Sequence, residues 1–123
     1  MQQNLGEKVN QCLRRLEEND FAGFQAMCTE TATVWQNDGR GDQKLAERLD
    51  QLESFVADVD SLRYEVIRQF QNSHEVLRQH VLRLAMTDGT RTEFNTAVFF
   101  RFEGGLIDRI EEYVYPVPAS DAS

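Results

Sequence analysis

The chain has 123 residues, with 13 basic and 21 acidic side chains and a net charge of −8. That length makes one domain, able to bury roughly two thirds of its unfolded surface without a disulfide or metal staple. The negative balance excludes nucleic acid, whose phosphate backbone is bound mainly by Lys and Arg, and no basic amphipathic stretch marks a membrane surface.

Leu5, Val9, Cys12, Leu13 and Leu16 recur at helical spacing. Asn4 followed by Glu7 resembles a capping box, so the spacing predicts a helix from about residue 5 to 18. Asn19-Asp20 breaks it, and Asp20 caps a second, short helix carrying Phe21, Phe24, Met27 and Cys28. Thr31 to Gln36 is β-branched and aromatic, a short strand. Asn37 to Asp42 has loop composition. Asp42 is placed to cap a third helix, whose apolar face is Leu45, Leu49, Leu52, Val56 and Val59. After Asp60-Ser61 a strand runs from Leu62 to Asn72, alternating Leu62, Tyr64, Val66, Arg68 and Phe70 against Arg63, Glu65, Ile67 and Gln69.

Residues 75–103 form two long strands joined at Asp88-Gly89, and Gly104-Gly105 turns the chain into a last strand, Leu106 to Tyr115. Met86-Thr-Asp-Gly-Thr90 suits a three-residue turn with Gly89 in the left-handed position. Leu84 then opposes Thr92, Leu82 opposes Phe94, and His80 opposes Thr96. His80, Leu82 and Leu84 share one apolar face with Phe94, Thr96, Val98, Phe100 and Phe102. Gln79, Val81, Arg83, Glu93, Asn95, Ala97, Phe99 and Arg101 form a mixed opposite face. A two-residue turn would put Gln79 and Arg83 on the apolar face and is rejected. The layout is α+β, helices first and a long antiparallel sheet last, in one domain over residues 1–116 with a frayed tail at 117–123.

Cys12 and Cys28, both in predicted helices, make neither a disulfide framework nor a metal knuckle and read as reduced, buried thiols. The N-terminus lacks a basic start and an apolar run, so no signal peptide is expected, and no stretch approaches a membrane span. A cytoplasmic location is the expectation. Asp38, Asp42, Asp58 and Asp60 lack metal-ligand spacing, so no metal site is predicted.

The order of elements resembles the nuclear transport factor 2-like superfamily, and more narrowly its SnoaL-like branch. The likeness is carried by Asp20, Thr33-Val-Trp-Gln-Asn-Asp-Gly39, Gln79-His-Val-Leu82, Asp88-Gly89 and the run from Phe100 to Tyr113, and spans roughly residues 4 to 115. It implies a cone-shaped curved antiparallel sheet wrapped around the N-terminal helices, with a central pocket. Dimers are common in the family, and a homodimer is expected to pack through the mixed face. The resemblance implies no particular chemistry. Ketosteroid isomerases place a general-base Asp where this chain has Gln36, a protonated acid at Val98 and a Tyr donor at Cys12, so that reaction is rejected. SnoaL-type cyclases usually place an Asp where Tyr115 stands, which also removes support for their cyclisation.

His80 is the sharpest candidate site residue, an imidazole on an apolar face, matched to proton transfer near neutral pH or simply a core histidine bonded to a neighbour. His74 lies in the turn before it, solvated. Glu112 shares the inner side with Ile110 and Val114; it is either a carboxyl of raised pKa or half of a salt bridge to Arg101 or Arg109. Gln36 aligns with the catalytic position of the resembled family and would orient a ligand, with Trp35 beside it or serving as a core plug. Tyr64 and Tyr115 would supply hydroxyls at the mouth; Thr96, Val98 and Phe100 would form the wall. The expected function is binding, with proton-transfer chemistry of isomerase, dehydratase or lyase type, on a small, largely apolar organic molecule. His80 would accept the proton, Glu112 would be its partner, and no cofactor is needed. The rival is a non-catalytic dimerisation or protein-interaction module whose cavity is filled by its own Phe side chains.

Overall fold

A computed structural model describes residues 4–118. Helix α1 (Leu5–Glu17) and the short α2 (Phe21–Ala26) lead into β1 (Cys28–Gln36) and β2 (Asp42–Lys44). Helix α3 (Leu45–Val56) follows, then four long strands, β3 (Val59–Gln71), β4 (Glu75–Met86), β5 (Arg91–Glu103) and β6 (Leu106–Pro116). They form one six-stranded sheet in the order β2-β1-β6-β5-β4-β3. All neighbours are antiparallel except β1 and β6, which run parallel. The α+β architecture is as expected.

Local chemistry sets the helix starts. The Glu7 N–H donates to the Asn4 side chain at 3.0 Å, and the Gly23 N–H donates to Asp20 at 2.9 Å. The third start differs from expectation. Asp42 does not cap α3; it pairs with Trp35 in β2, and Lys44 occupies the cap position without a side-chain bond. Arg109 explains the preference, because its guanidinium holds the Asp42 carboxylate at 3.1 Å against the sheet. Cys28 also leaves its predicted helix. It pairs with Ile107, and the Ile107 N–H donates to the Met27 carbonyl, so β6 draws the chain into strand three residues early. Val59 likewise belongs to β3, paired with Met86.

The β4–β5 register is the one read from the turn: Leu84 faces Thr92, Leu82 faces Phe94 and His80 faces Thr96. Gly89 sits at φ +91°, the conformation the three-residue turn requires. Strand β3 departs from simple alternation. A bulge between Val66 and Arg68 leaves Ile67 unpaired and flips every later side chain. Leu62 and Tyr64 face inward as predicted, but Phe70 faces out, 65% exposed. Gln71 instead reaches α1, accepting the Gly6 N–H at 2.9 Å.

The inner face packs Val76, Val98, Phe100, Phe102, Ile107 and Ile110 against Leu5, Val9, Cys12, Leu13 and Leu16 of α1. Leu45 and Leu49 of α3 join the same core, with Leu52 packed at its edge. At the C-terminus the Val117 N–H bonds the Glu93 carbonyl at 2.9 Å, so the sheet holds this first residue of the expected tail; 119–123 lie outside the described residues. Among the described residues, no helix is long and apolar enough to cross a membrane.

Candidate functional site

The helices do not fill the concave face. A cavity of about 400 Å³ lies between α1, α3 and the inner sheet. Its walls are mostly apolar, with Leu13, Leu16, Leu49, Phe94, Val98 and Phe100 among them. Gln36, Tyr64, His80 and Glu112 enter from four different strands, while Asp38, Arg40, Arg48 and Gln51 line it from the β1–β2 loop and α3.

Six predicted site residues therefore meet in one space: Gln36, Tyr64, His80, Val98, Phe100 and Glu112. Three do not line it. Trp35 sits between the inward-facing Val34 and Gln36 and points the other way, its ring 5.1 Å from Tyr113. Tyr115 is 59% exposed, because its neighbour Val114 takes the inward position. Thr96 is buried opposite His80 but does not reach the cavity surface.

Glu112 hydrogen-bonds the Gln36 amide across the β1–β6 pair. Neither expected ion pair forms: Arg101 binds Asp108 at 2.9 Å, and Arg109 binds Asp42 and Glu111. Burial raises the Glu112 carboxyl above its ordinary range, against smaller opposing contributions from the Gln36 bond and the Arg48 charge. A carboxyl in that state keeps its proton to higher pH than an exposed one. Burial also raises the Tyr64 phenol, and the Glu112 charge adds to it, so Tyr64 stays a hydrogen-bond donor.

His80 is 1% exposed, its ring tilted against Tyr64 with centroids 4.7 Å apart. Its Nδ1 accepts a 2.9 Å hydrogen bond from the Nε–H of Arg78. Burial, and secondarily the Arg78 charge, lowers its pKa to about 3. This speaks against the expected role of proton acceptor: burial favours the neutral ring, and its Nδ1 is already engaged by a cation. Its Nε2 has no partner among the described protein atoms.

Arg78 was missed in the sequence. It is buried, two residues from His80 on one strand, so parity alone places it on the same face. Its guanidinium also donates to Asn10 of α1 at 2.8 Å and lies 5.8 Å from the centre of the Tyr64 ring. Arg48 was missed too; it sits on α3 one turn from the predicted apolar ridge. Among the described residues, no group of three or more His, Cys, Asp or Glu could hold a metal ion.

With this geometry in hand, the sequence itself names the class. The SnoaL-like domain family matches residues 9–110, and the chain belongs to that family. A SnoaL-like polyketide cyclase from Agrobacterium tumefaciens str. C58 is 20% identical, covers 92% of each chain and superposes with a TM-score of 0.75. An LEH-like epoxide hydrolase from M. tuberculosis is 18% identical over 87% of this chain and 79% of its own, with a TM-score of 0.73. A nuclear transport factor 2-like protein of unknown function from Burkholderia pseudomallei K96243 is 14% identical over 89% of each, with a TM-score of 0.76. At these identities the likeness shows the fold. No curated protein matches the sequence.

Proposed function

We propose that this protein binds a small, largely apolar organic molecule in the cavity and moves a proton on it, as an isomerase, dehydratase or lyase does without a cofactor. The observation that carries this reading is Glu112, a carboxyl held by Gln36 in an otherwise apolar wall, with its pKa raised by burial. As carboxylate it would take a proton from a carbon next to an oxygen-bearing group and return it at a neighbouring atom. The Gln36 amide would aim it, and the Tyr64 hydroxyl would donate to the substrate oxygen. The relatives described as a polyketide cyclase and an epoxide hydrolase lend the fold a precedent for organic substrates.

The rival, a module plugged by its own Phe residues, is disfavoured by the remaining volume of about 400 Å³. The homodimer belongs to the same reading. Phe70, Leu77 and Phe99 stand in one cross-strand row on the outer face, with Phe70 and Leu77 exposed, a patch that a second copy would cover. A reducing, cytoplasmic setting accords with two free, buried thiols.

The test is solvent-deuterium incorporation into a panel of small alicyclic ketones and enones, followed by proton NMR. Wild-type protein should label at least one member and Glu112→Gln none. Labelling that is equal in both proteins, or absent throughout, would overturn the reading.

A further inference from the structure

Among the described residues Arg78 is the one buried cation of the inner face, and its partners are unusual. No carboxylate lies within salt-bridge distance of it among the described residues; its bonds go to a histidine nitrogen and an amide oxygen. An arginine Nε–H is a donor at every accessible pH. At 2.9 Å it requires a lone pair on His80 Nδ1. The neutral ring must then carry its proton on Nε2. That nitrogen faces away from Arg78, on a residue that lines the cavity, is 1% exposed and has no protein partner at Nε2.

We propose that Arg78 is a positioning residue which locks His80 as the Nε2–H tautomer, a neutral donor buried in the cavity wall. The inference does not rest on the proposed function. The geometry supports the lock from several sides. Asn10 fixes the far end of the guanidinium from α1, and the Tyr64 ring flanks both Arg78 and His80 from β3. Thr96 faces His80 from β5 with an uncharged hydroxyl. Glu17 and Cys12 of α1 act on Arg78, and the Glu17 carboxylate is itself engaged by the Tyr64 backbone N–H at 2.8 Å. An imidazolium would set two donors face to face and bury a second cation beside the first.

The experiment is two-bond ¹H–¹⁵N correlation NMR of the histidine rings in the full chain, with His74→Gln separating the two sets of signals. Wild-type His80 should show a protonated Nε2 and an unprotonated Nδ1, unchanged from pH 7 to 4.5. Arg78→Met should mix the tautomers and bring a titration into that range. Arg78→Lys, which keeps the charge without the Nε–H, should move the Nδ1 resonance. An Nδ1–H ring or an imidazolium at pH 7, or folded Arg78 variants with unchanged ring spectra, would overturn the assignment. The wild-type spectrum decides alone if neither variant folds. The readout does not involve turnover, so failure here is distinct from failure of the proposed reaction.

Discussion

Holding His80 neutral has a consequence for stability that can be measured in the absence of any substrate. A histidine titrates at 6.5 in the unfolded chain, and in the folded protein it is lowered to about 3. Between those values the unfolded state binds a proton that the folded state refuses. Stability therefore falls as pH falls from 6.5 toward 3 and is fully present above 6.5. At pH 4.5 the unfolded histidine is about two pH units below its pKa, and at ~1.36 kcal/mol per unit the loss is about 2.7 kcal/mol. Against a domain stability of about 5–15 kcal/mol that is a large fraction. His80→Asn removes the titration and leaves an amide oxygen near the Nδ1 position for Arg78. Other groups titrate in both proteins: Asp42, Asp88 and Asp108 are held below the usual carboxylate range by hydrogen bonds and act at lower pH. Urea unfolding of both proteins at pH 7.0 and 4.5 isolates the histidine. Wild type should lose about 2.7 kcal/mol more than the variant over this interval. Parallel losses would refute the claim that folding keeps this ring uncharged.

Glu112 titrates with the opposite sign. Its raised pKa means the folded state binds the proton more readily, so its ionisation costs stability as pH rises through the folded value. Glu112→Gln should stabilise the protein at pH 8 by about 0.5–2 kcal/mol, read by thermal melting, while proton exchange into substrate falls by ~100-fold or more. Gly89→Ala meets no atom within 4 Å but forces φ +91° on an L-residue, and should cost about 1–2 kcal/mol in denaturant unfolding. Leu77→Arg places a charge in the outer apolar row and should convert the proposed dimer to monomer in analytical ultracentrifugation; a dimer that persists would remove that face from the interface.

Local chemistry made the β4–β5 hairpin legible. Met86 and Thr90 close the turn, the Met86 N–H bonding the Thr90 carbonyl at 2.8 Å, and every pair up the hairpin follows from that closure. The placement of Glu112 on the inner face was legible for the same reason, through parity with Ile110 and Val114. The Val66–Arg68 bulge was not. Val66-Ile67 sets two apolar residues side by side and Arg68-Gln69 two polar ones, but only pairing with His80 and Gln79 on β4 decides which residue is left over. Strand formation at Cys28 was hidden likewise, since its cause is β6, nearly eighty positions along the chain. Trp35 is a different case. Adjacent strand residues face opposite ways, so Trp35 and Gln36 are not both able to enter one cavity, and parity contained the answer. The same rule separates Tyr115 from Val114, and would have placed Arg78 beside His80.

The polar residues of the inner face are where the sequence departs from a pattern that would only build a core. An apolar residue at each of positions 78, 80 and 112 would pack that face without desolvating a charge or a ring nitrogen. Arg78 and Glu112 offset that cost with partners, His80 with Asn10 and Gln36 respectively. His80 is satisfied on one nitrogen only. A buried donor left without an acceptor costs about 1–3 kcal/mol, and nothing in the packing requires it, since the ring's contact with Tyr64 could be made by a Phe. Such departures concentrate where function demands them. The incomplete group lies in the wall of the same cavity as the raised carboxyl, on a separate strand. A molecule seated in that cavity would meet an acid–base group on β6 and the Tyr64 hydroxyl on β3, the two contacts that a proton transfer next to an oxygen requires.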